Sequence, residues 1–479
     1  MQGLRPEILA GIPDEMYYAV RRIEDSFVVG TPDLRRLTNH FKGELQKGLD
    51  TEGSDIPMNV TWVVGFPTGK ERGRYLAVDF GGTNVRVCSA LLCGREEEVQ
   101  VTQEKYMVAE SLKTSTADEL WDFVAGCVGE FVQKHSPELA GQTEKKLPLA
   151  FTFSYPVTQT AINSGALQRW TKALEVSGVE GHDVVAQFQC ALDRKKVPVE
   201  VVALVNDTVG ALVSAAYRDP EIIMSSVIST GCNAAYMENI QSIKKIESYK
   251  SKGVSDAVVS VNTEFGAYNN SRQMLPLTNF DEDLDRMSTR PGAHIYEKMI
   301  AGLYLGELYR LLLLQLRRLG MLLTEHDISA LNQPNIIDAS FLSVAEADMT
   351  QSLEQMRDLF KNKVGIELNS DELRVCRYLV ELVGTRAARL YACSIAALCR
   401  RTKMNRGKVG VDGAVFHHYT HFKERARHAL REILDWPQCA EDYVSFHDVE
   451  DGSGIGAAIV AAMALQNRDA GDLKPRPEH

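Results

Sequence analysis

The chain of 479 residues has nine cysteines but no Cys-x-x-Cys pair. That lack excludes the usual zinc modules, and an odd, scattered set argues against a disulfide framework and for a reducing compartment. It has no excess of positive charge: 53 Lys and Arg against 64 Asp and Glu leave a net charge of -11. A general nucleic-acid binder by direct contact is thereby excluded, while a phosphorylated ligand held locally is not. It has no clean membrane span, because the most apolar long segment, Leu303 to Leu323, is interrupted by Glu307, Arg310, Arg317 and Arg318 and reads as an amphipathic helix. The opening Met1 to Glu7 lacks the charged-then-apolar pattern of a secretory signal, so the cytosol is expected, with the nucleus or a mitochondrial surface left open. No low-complexity linker precedes the polar tail from Asn467 to His479. A length beyond one ordinary core predicts two domains.

What is there begins with Leu76 to Val87. Two β-prone apolar runs flank Asp79 and the turn Gly81-Gly82-Thr83-Asn84, with Arg86 just beyond, which predicts strand, tight turn, strand. Glycine lets backbone amides approach an anion, and a nearby carboxylate suits a hydrated cation, so the turn is a candidate for a nucleotide phosphate with magnesium. A plain β-hairpin is the bland alternative. Gly65 to Glu71 looks like a Walker loop but fails on spacing and on Glu71 in place of Ser or Thr.

Helices are expected within residues 5 to 50 and from Thr116, as a cap, to Lys134; another hairpin is expected through Gly94. Leu147 to Tyr155 and Val199 to Val205 read as buried strands, the first ending at Ser154 and the second at Asn206-Asp207-Thr208 before a helical run. A polar triplet there is where α/β proteins place chemistry, although a helix cap reads the same way. Gly165 to Leu174, with Thr171 and Lys172, reads as a loop or helix start. Val227 to Tyr236 repeats the strand, turn, strand pattern around Ser229-Thr230-Gly231, so two analogous phosphate hairpins could face one another across a cleft. Glu264 follows a short strand and Glu297 starts a helical region; each suits sugar hydroxyls, or is an ordinary surface carboxylate. Arg400 to Lys408 reads as a solvated basic turn. His417, His418, His421 and His428 fall on an expected helix without a metal-binding set. Asp451 to Gly456 reads as a glycine-rich entrance, near a nucleotide, to an apolar helix over Ala457 to Ala464.

In the order and spacing of its motifs the chain resembles the eukaryotic hexokinase and glucokinase family, fungal members above all, from about Ile23 to Ala464. The matching stretches include Phe66 to Lys70, Asp79 to Arg86, Phe151 to Pro156, Leu167 to Lys172, Val179 to Val184, Val205 to Thr208, Asn262 to Glu264, Glu297-Lys298, Tyr304 to Glu307 and Gly452 to Gly454. The resemblance implies an α/β, actin-like ATPase (ribonuclease H-like) fold with two domains around a deep cleft. Residues 76–206 plus 457–479 would form the small domain and 1–75 plus 207–456 the large one. It implies a hexose held by Ser154, Thr171, Lys172, Asn206, Asp207, Asn233, Glu264 and Glu297, with Asp207 as general base on the 6-hydroxyl and Lys172 beside it. ATP would lie against Asp79, Gly81, Gly82, Thr83, Asn84, Arg86, Thr230, Gly231, Asp412, Gly413, Gly452 and Ser453, with Mg2+ held through water by Asp79 and Asp207.

The chain departs from the family pattern mainly on the nucleotide side. Ser229 stands for a usual glycine, and if that position needs positive φ or touches phosphate, a serine costs about 1 to 3 kcal/mol in strain or blocks the approach. Ser225 also replaces a glycine, and Ala414 a serine. On the sugar side Ala173-Leu174 replace Gly-Phe and Thr158 a frequent serine. The imbalance motivates an alternative: an atypical hexokinase-like protein, weak or inactive in catalysis, that binds sugar and acts with regulatory protein partners in nutrient signalling.

Overall fold

The computed structural model describes residues 5–137, 146–170, 174–249, 257–437, 441–449 and 452–470. The chain enters through α1 (Asp14–Phe27) and α2 (Thr31–Asp50) and lays down β1 (Asn59–Val64). A first sheet is then built from β2 (Arg72–Phe80), β3 (Asn84–Cys93), β4 (Gln100–Met107), β5 (Leu147–Phe153) and β8 (Val199–Val205). Between them come α3 (Ala117–His135), the hairpin β6 (Val157–Ala161) and β7 (Ser164–Leu167), and α4 (Val184–Arg194). After α5 (Asp207–Arg218), a second sheet takes β9 (Ile222–Ile228), β10 (Cys232–Asn239) and β11 (Val258–Asn262). A helical block follows: α6 (Asn279–Met287), α7 (Ile295–Ile300), α8 (Gly302–Arg318), α9 (Ala339–Ala347), α10 (Glu354–Leu359) and α11 (Ser370–Thr402). The chain ends with β12 (Gly407–Asp412), α12 (Ala414–His418), α13 (Phe422–Leu434), β13 (Val444–Asp448) and α14 (Gly452–Ala470).

The two sheets have one topology. The first runs β4-β3-β2-β5-β8 and the second β11-β10-β9-β12-β13, with β1 added at its β11 edge. In each, three antiparallel strands are followed by two parallel ones. The first hairpin of each unit is therefore equivalent: Phe80 pairs with Val85 around residues 81–84, and Ile228 with Cys232 around 229–231. The repeat expected from two short turns extends to whole sheets.

One core packs the second sheet against its helices, and another packs the first sheet against α3 and α4. A third, made largely of small side chains, lies between them: Ala77, Ala150 and Ala203, Val209 and Leu212 of α5, Ala235 of β10, and Ala457 to Met463 of α14. Thr116 caps α3 in a reciprocal capping box with Glu119, as its sequence predicts.

Several expectations are corrected. Of Gly165 to Leu174, Gly165 to Leu167 belong to a strand and not to a loop or helix start, while Gln168 to Trp170 are loop as expected. α14 begins at Gly452, so the glycine-rich run lies inside the helix, where a Cβ on Gly456 would sit 1.9 Å from the Gly210 carbonyl oxygen of α5. Those glycines bring two helix backbones together. The histidines do not share a helix, since His421 is a left-handed residue between α12 and α13. The basic stretch is partly pinned: Arg401 donates to Glu238, and Lys408 is in β12, paired with Asp219 and Glu221. Most of Leu303 to Leu323 is α8, a helix as expected; among the described residues the one helix long and apolar enough to cross a membrane is α11, and the whole of its apolar stretch is buried inside the protein.

Candidate active site

Three of the residues expected on the sugar side, Asn233, Glu264 and Glu297, converge where β10, β11 and α7 begin or end. Asn233 Nδ2 donates to Asn262 Oδ1 (2.7 Å) and Glu264 Oε1 (3.2 Å), and Asn262 Nδ2 also donates to Glu264 Oε1 (2.8 Å). Asn233 Oδ1 in turn accepts from the Ala234 and Glu264 amides at 2.8 and 3.0 Å. This fastening holds Glu264 at φ 56, ψ 39, a left-handed conformation that costs a non-glycine residue about 1 to 2 kcal/mol and aims its carboxylate.

Glu297 lies beside this group. Its Oε2 accepts from the Cys232 amide at 3.0 Å, and Oε1 is 3.5 Å from His294 Nδ1. Burial pushes its pKa up to about 7, the Cys232 hydrogen bond and Lys298 oppose the rise, and the charge of Glu264 adds to it. Folded Glu297 thus keeps its proton while the unfolded chain loses it from 4.5 upward, so stability falls between pH 4.5 and 7 and the loss is complete above 7. Glu297→Gln removes that loss: its advantage over the parent should grow across the window to about 3 kcal/mol at pH 8. Urea unfolding at several pH values reads this out, and a pH-independent difference would reject the assignment.

Asn206 and Asp207 sit at the carboxyl end of β8. Asn206 is the N-cap of α5, its Oδ1 accepting from the Thr208 amide at 2.9 Å. Asp207 is the first helical residue; its Oδ1 accepts from the amide (2.7 Å) and hydroxyl (3.2 Å) of Thr208, while Oδ2 has no hydrogen-bond partner among the described residues. Asn206 and Asn262 line one cavity with Tyr155 and Thr61, so ends of both sheets meet there.

In the first turn Gly82 has φ 102, and a Cβ there would lie 2.5 Å from the Tyr155 hydroxyl and 3.0 Å from Leu174 Cδ1. Asp79 pairs across the hairpin with Arg86 and beside Thr152 of β5, and its charge adds to burial in raising the Tyr155 phenol. Gly81, Thr83 and Asn84 complete the turn; Thr83 and Arg86 are exposed.

The second turn is fastened to the start of α8: Ser229 O accepts from the Gly302 amide (2.8 Å) and Thr230 O from the Leu303 amide (3.2 Å). Beside it Gly413, at φ 113, would place a Cβ 2.3 Å from the Ile228 carbonyl oxygen, and its amide donates to Asp412 Oδ1 at 2.6 Å. Thr230, Gly231, Asp412 and Gly413 are thus brought together. Ser229 is not among the residues of positive φ, so the backbone strain considered for serine at this position is absent. Gly231 leaves room for Glu297: a Cβ would lie 2.8 Å from its Oε2, so the carboxylate would have to shift. The Ser225 hydroxyl, fully buried, has no partner among the described residues. Ser225→Ala should therefore stabilise the protein by about 1 kcal/mol, measured as a shift of the urea midpoint at constant slope.

Thr171 and Lys172 lie outside the described residues, as does the Ser453 side chain. Ser154 is half-buried in the bend after β5, and Gly452 packs on Ala211 and Ser214 of α5. The Walker-like loop is filled by its own carboxylate, because Glu71 accepts from the amides of Thr68 (2.7 Å) and Gly69 (2.9 Å). Three residues were not singled out from sequence: Asn262, which bridges Asn233 and Glu264, Tyr155 and His294. The polar Asn262 at the end of an apolar strand was the one visible signal.

Two family models described as Hexokinase match residues 19–217 and 223–463. A hexokinase of Emericella nidulans is 44% identical over 466 residues, spanning 97% of this chain and 94% of that protein. Hexokinase-1 of Saccharomyces cerevisiae is 42% identical over 459 residues, spanning 95% and 94%. Among solved structures, a hexokinase from Schistosoma mansoni complexed with glucose superposes with a TM-score of 0.81 at 32% identity, covering 94% of this chain and 99% of that one. A doubled actin-like sheet, a polar cluster between its halves and near-full-length identity above 40% lead to one conclusion: the chain belongs to the hexokinase family.

Proposed function

We propose that the protein phosphorylates a glucose-like hexose at its 6-hydroxyl with ATP, Asp207 being the general base. The observation that carries this reading is Asp207 itself, fixed at the carboxyl end of β8 through Oδ1 with Oδ2 uncommitted. An alcohol is a poor nucleophile, and a carboxylate within hydrogen-bond reach orients it and accepts its proton as the phosphoryl group moves. Asn206, Asn233, Glu264 and Glu297, with Ser154, Thr171 and Lys172, are proposed to hold the sugar through its hydroxyls. Lys172 is further proposed to bear on the reacting centre.

The two turns suit nucleotide phosphates because short hairpin turns present consecutive backbone amides to an anion; Gly82 lets the first turn pack on Tyr155, and Gly413 lets the β12–α12 connection pack on Ile228 beside the second. Asp79, Gly81 to Asn84, Arg86, Thr230, Gly231, Asp412, Gly413, Gly452 and Ser453 are proposed for that side. Mg2+, held through water by Asp79 and Asp207, would neutralise charge on the β- and γ-phosphate oxygens. The lobes are proposed as 76–206 with 457–479, and 1–75 with 207–456; a small lobe of this kind is supported by α14 packing against β2, β5 and β8. Free thiols at every described cysteine support a reducing location such as the cytosol.

The test is hexose 6-phosphate formation from ATP by the purified chain, followed in a coupled assay; no turnover with saturating sugar rejects the reading. The regulatory alternative draws on Ser229 and Ala414. Ser229 carries no positive-φ strain and Ala414 simply opens α12, which leaves the alternative only the bulk of the Ser229 side chain beside a phosphate.

A further inference from the structure

The basic stretch after α11 contributes nothing to the cleft, yet it walls a second cavity of about 660 Å3. Lys42 of α2, Arg400 at the end of α11 and Lys403 just past it supply three positive charges. The one lining carboxylate, Asp435, is engaged with Arg35 at 2.8 Å. No carboxylate lies within 4.0 Å of Lys42, Arg400 or Lys403 among the described residues. Arg400 instead donates to neutral acceptors, Asn39 Oδ1 (2.6 Å) and Ile433 O (2.9 Å). Burial and the neighbouring Arg35 push its pKa below the ordinary value, the condition in which a bound anion stabilises a cation most. The opposite character comes from Trp436 and Tyr443, whose ring centroids are 5.6 Å apart at 47°.

Uncompensated Lys and Arg recognise phosphate, and an aromatic wall takes a flat ring. We propose that this cavity is a second ligand site, separate from the cleft, for a nucleoside phosphate: phosphate at Lys42, Arg400 and Lys403, base against Trp436. Its volume of about 660 Å3 is within the range of small-molecule pockets.

Equilibrium dialysis of the full chain with ADP tests this. Two ADP per chain are expected, one in the cleft and one here. Lys42→Ala/Lys403→Ala, which changes two exposed side chains, should weaken one site by about tenfold or more and leave kcat for hexose phosphorylation unchanged. ADP should also quench a fluorescence component that Trp436→Phe removes. A single ADP per chain in the parent, or a second site indifferent to the double variant, overturns the proposal. Inorganic phosphate or ribose 5-phosphate displacing ADP from this site with equal affinity overturns the part given to the base.

Discussion

Replacing Asp207 by asparagine is expected to lower kcat about 10^2- to 10^4-fold, the usual worth of a positioned general base, while KM for the hexose changes little. The substitution isolates chemistry from architecture. The Thr208 amide donates to Asp207 Oδ1 at 2.7 Å, a bond the asparagine carbonyl oxygen can accept, so the start of α5 keeps its geometry. Only the capacity to take a proton at the other atom is removed. Asp207→Ala should match the loss of kcat and add a small loss of stability, because that acceptor goes too. Coupled assays give the rates, and a thermal-shift titration with glucose gives binding. Retention of more than a tenth of the parental kcat by both variants would remove Asp207 from the role of base.

The second large effect is on stability. Gly456→Ala would place its Cβ 1.9, 2.5 and 2.8 Å from O, C and Cα of Gly210, all backbone atoms of α5. No rotamer relieves such a clash, so α14 and α5 must separate and the small-residue core between the sheets loosens with them. Overpacking usually costs 1 to 3 kcal/mol, and a backbone obstacle belongs at or above about 3 kcal/mol. Since α5 starts with Asp207, activity should fall along with the urea midpoint. A variant as stable as the parent would mean that the helices do not cross this closely.

These two positions mark how far the sequence could be read. Asp207 was legible because a run of apolar residues ending in a polar triplet is a local signal with a local cause. The hairpins at Asp79 and Ser229 were legible likewise, alternation and turn glycines lying within a dozen residues. Gly456 was placed at the entrance of a helix rather than inside it because glycine has low helix propensity, and Gly-Ser-Gly-Ile-Gly does not read as helical turns until its partner helix is known. Arg401 was taken for a solvated charge since its acceptors, Glu238 and Gln46, come from distant parts of the chain. The same holds for β1, which leaves its sequence neighbours to join β11. For Ser229 the sequence showed a departure but not its φ, and the observed backbone removes the strain, one of the two grounds for doubt.

The helix α14 has a consequence for how the chain is made. It fills the space behind β2, β5 and β8, and Asn467 near its end donates to Val64 O near the chain's beginning. On the ribosome the first sheet emerges long before the helix that covers it. Until residue 470 is out, Ala77, Ala150 and Ala203 face water or a chaperone, and the early lobe waits, incomplete, on a helix completed more than 250 residues after its last strand.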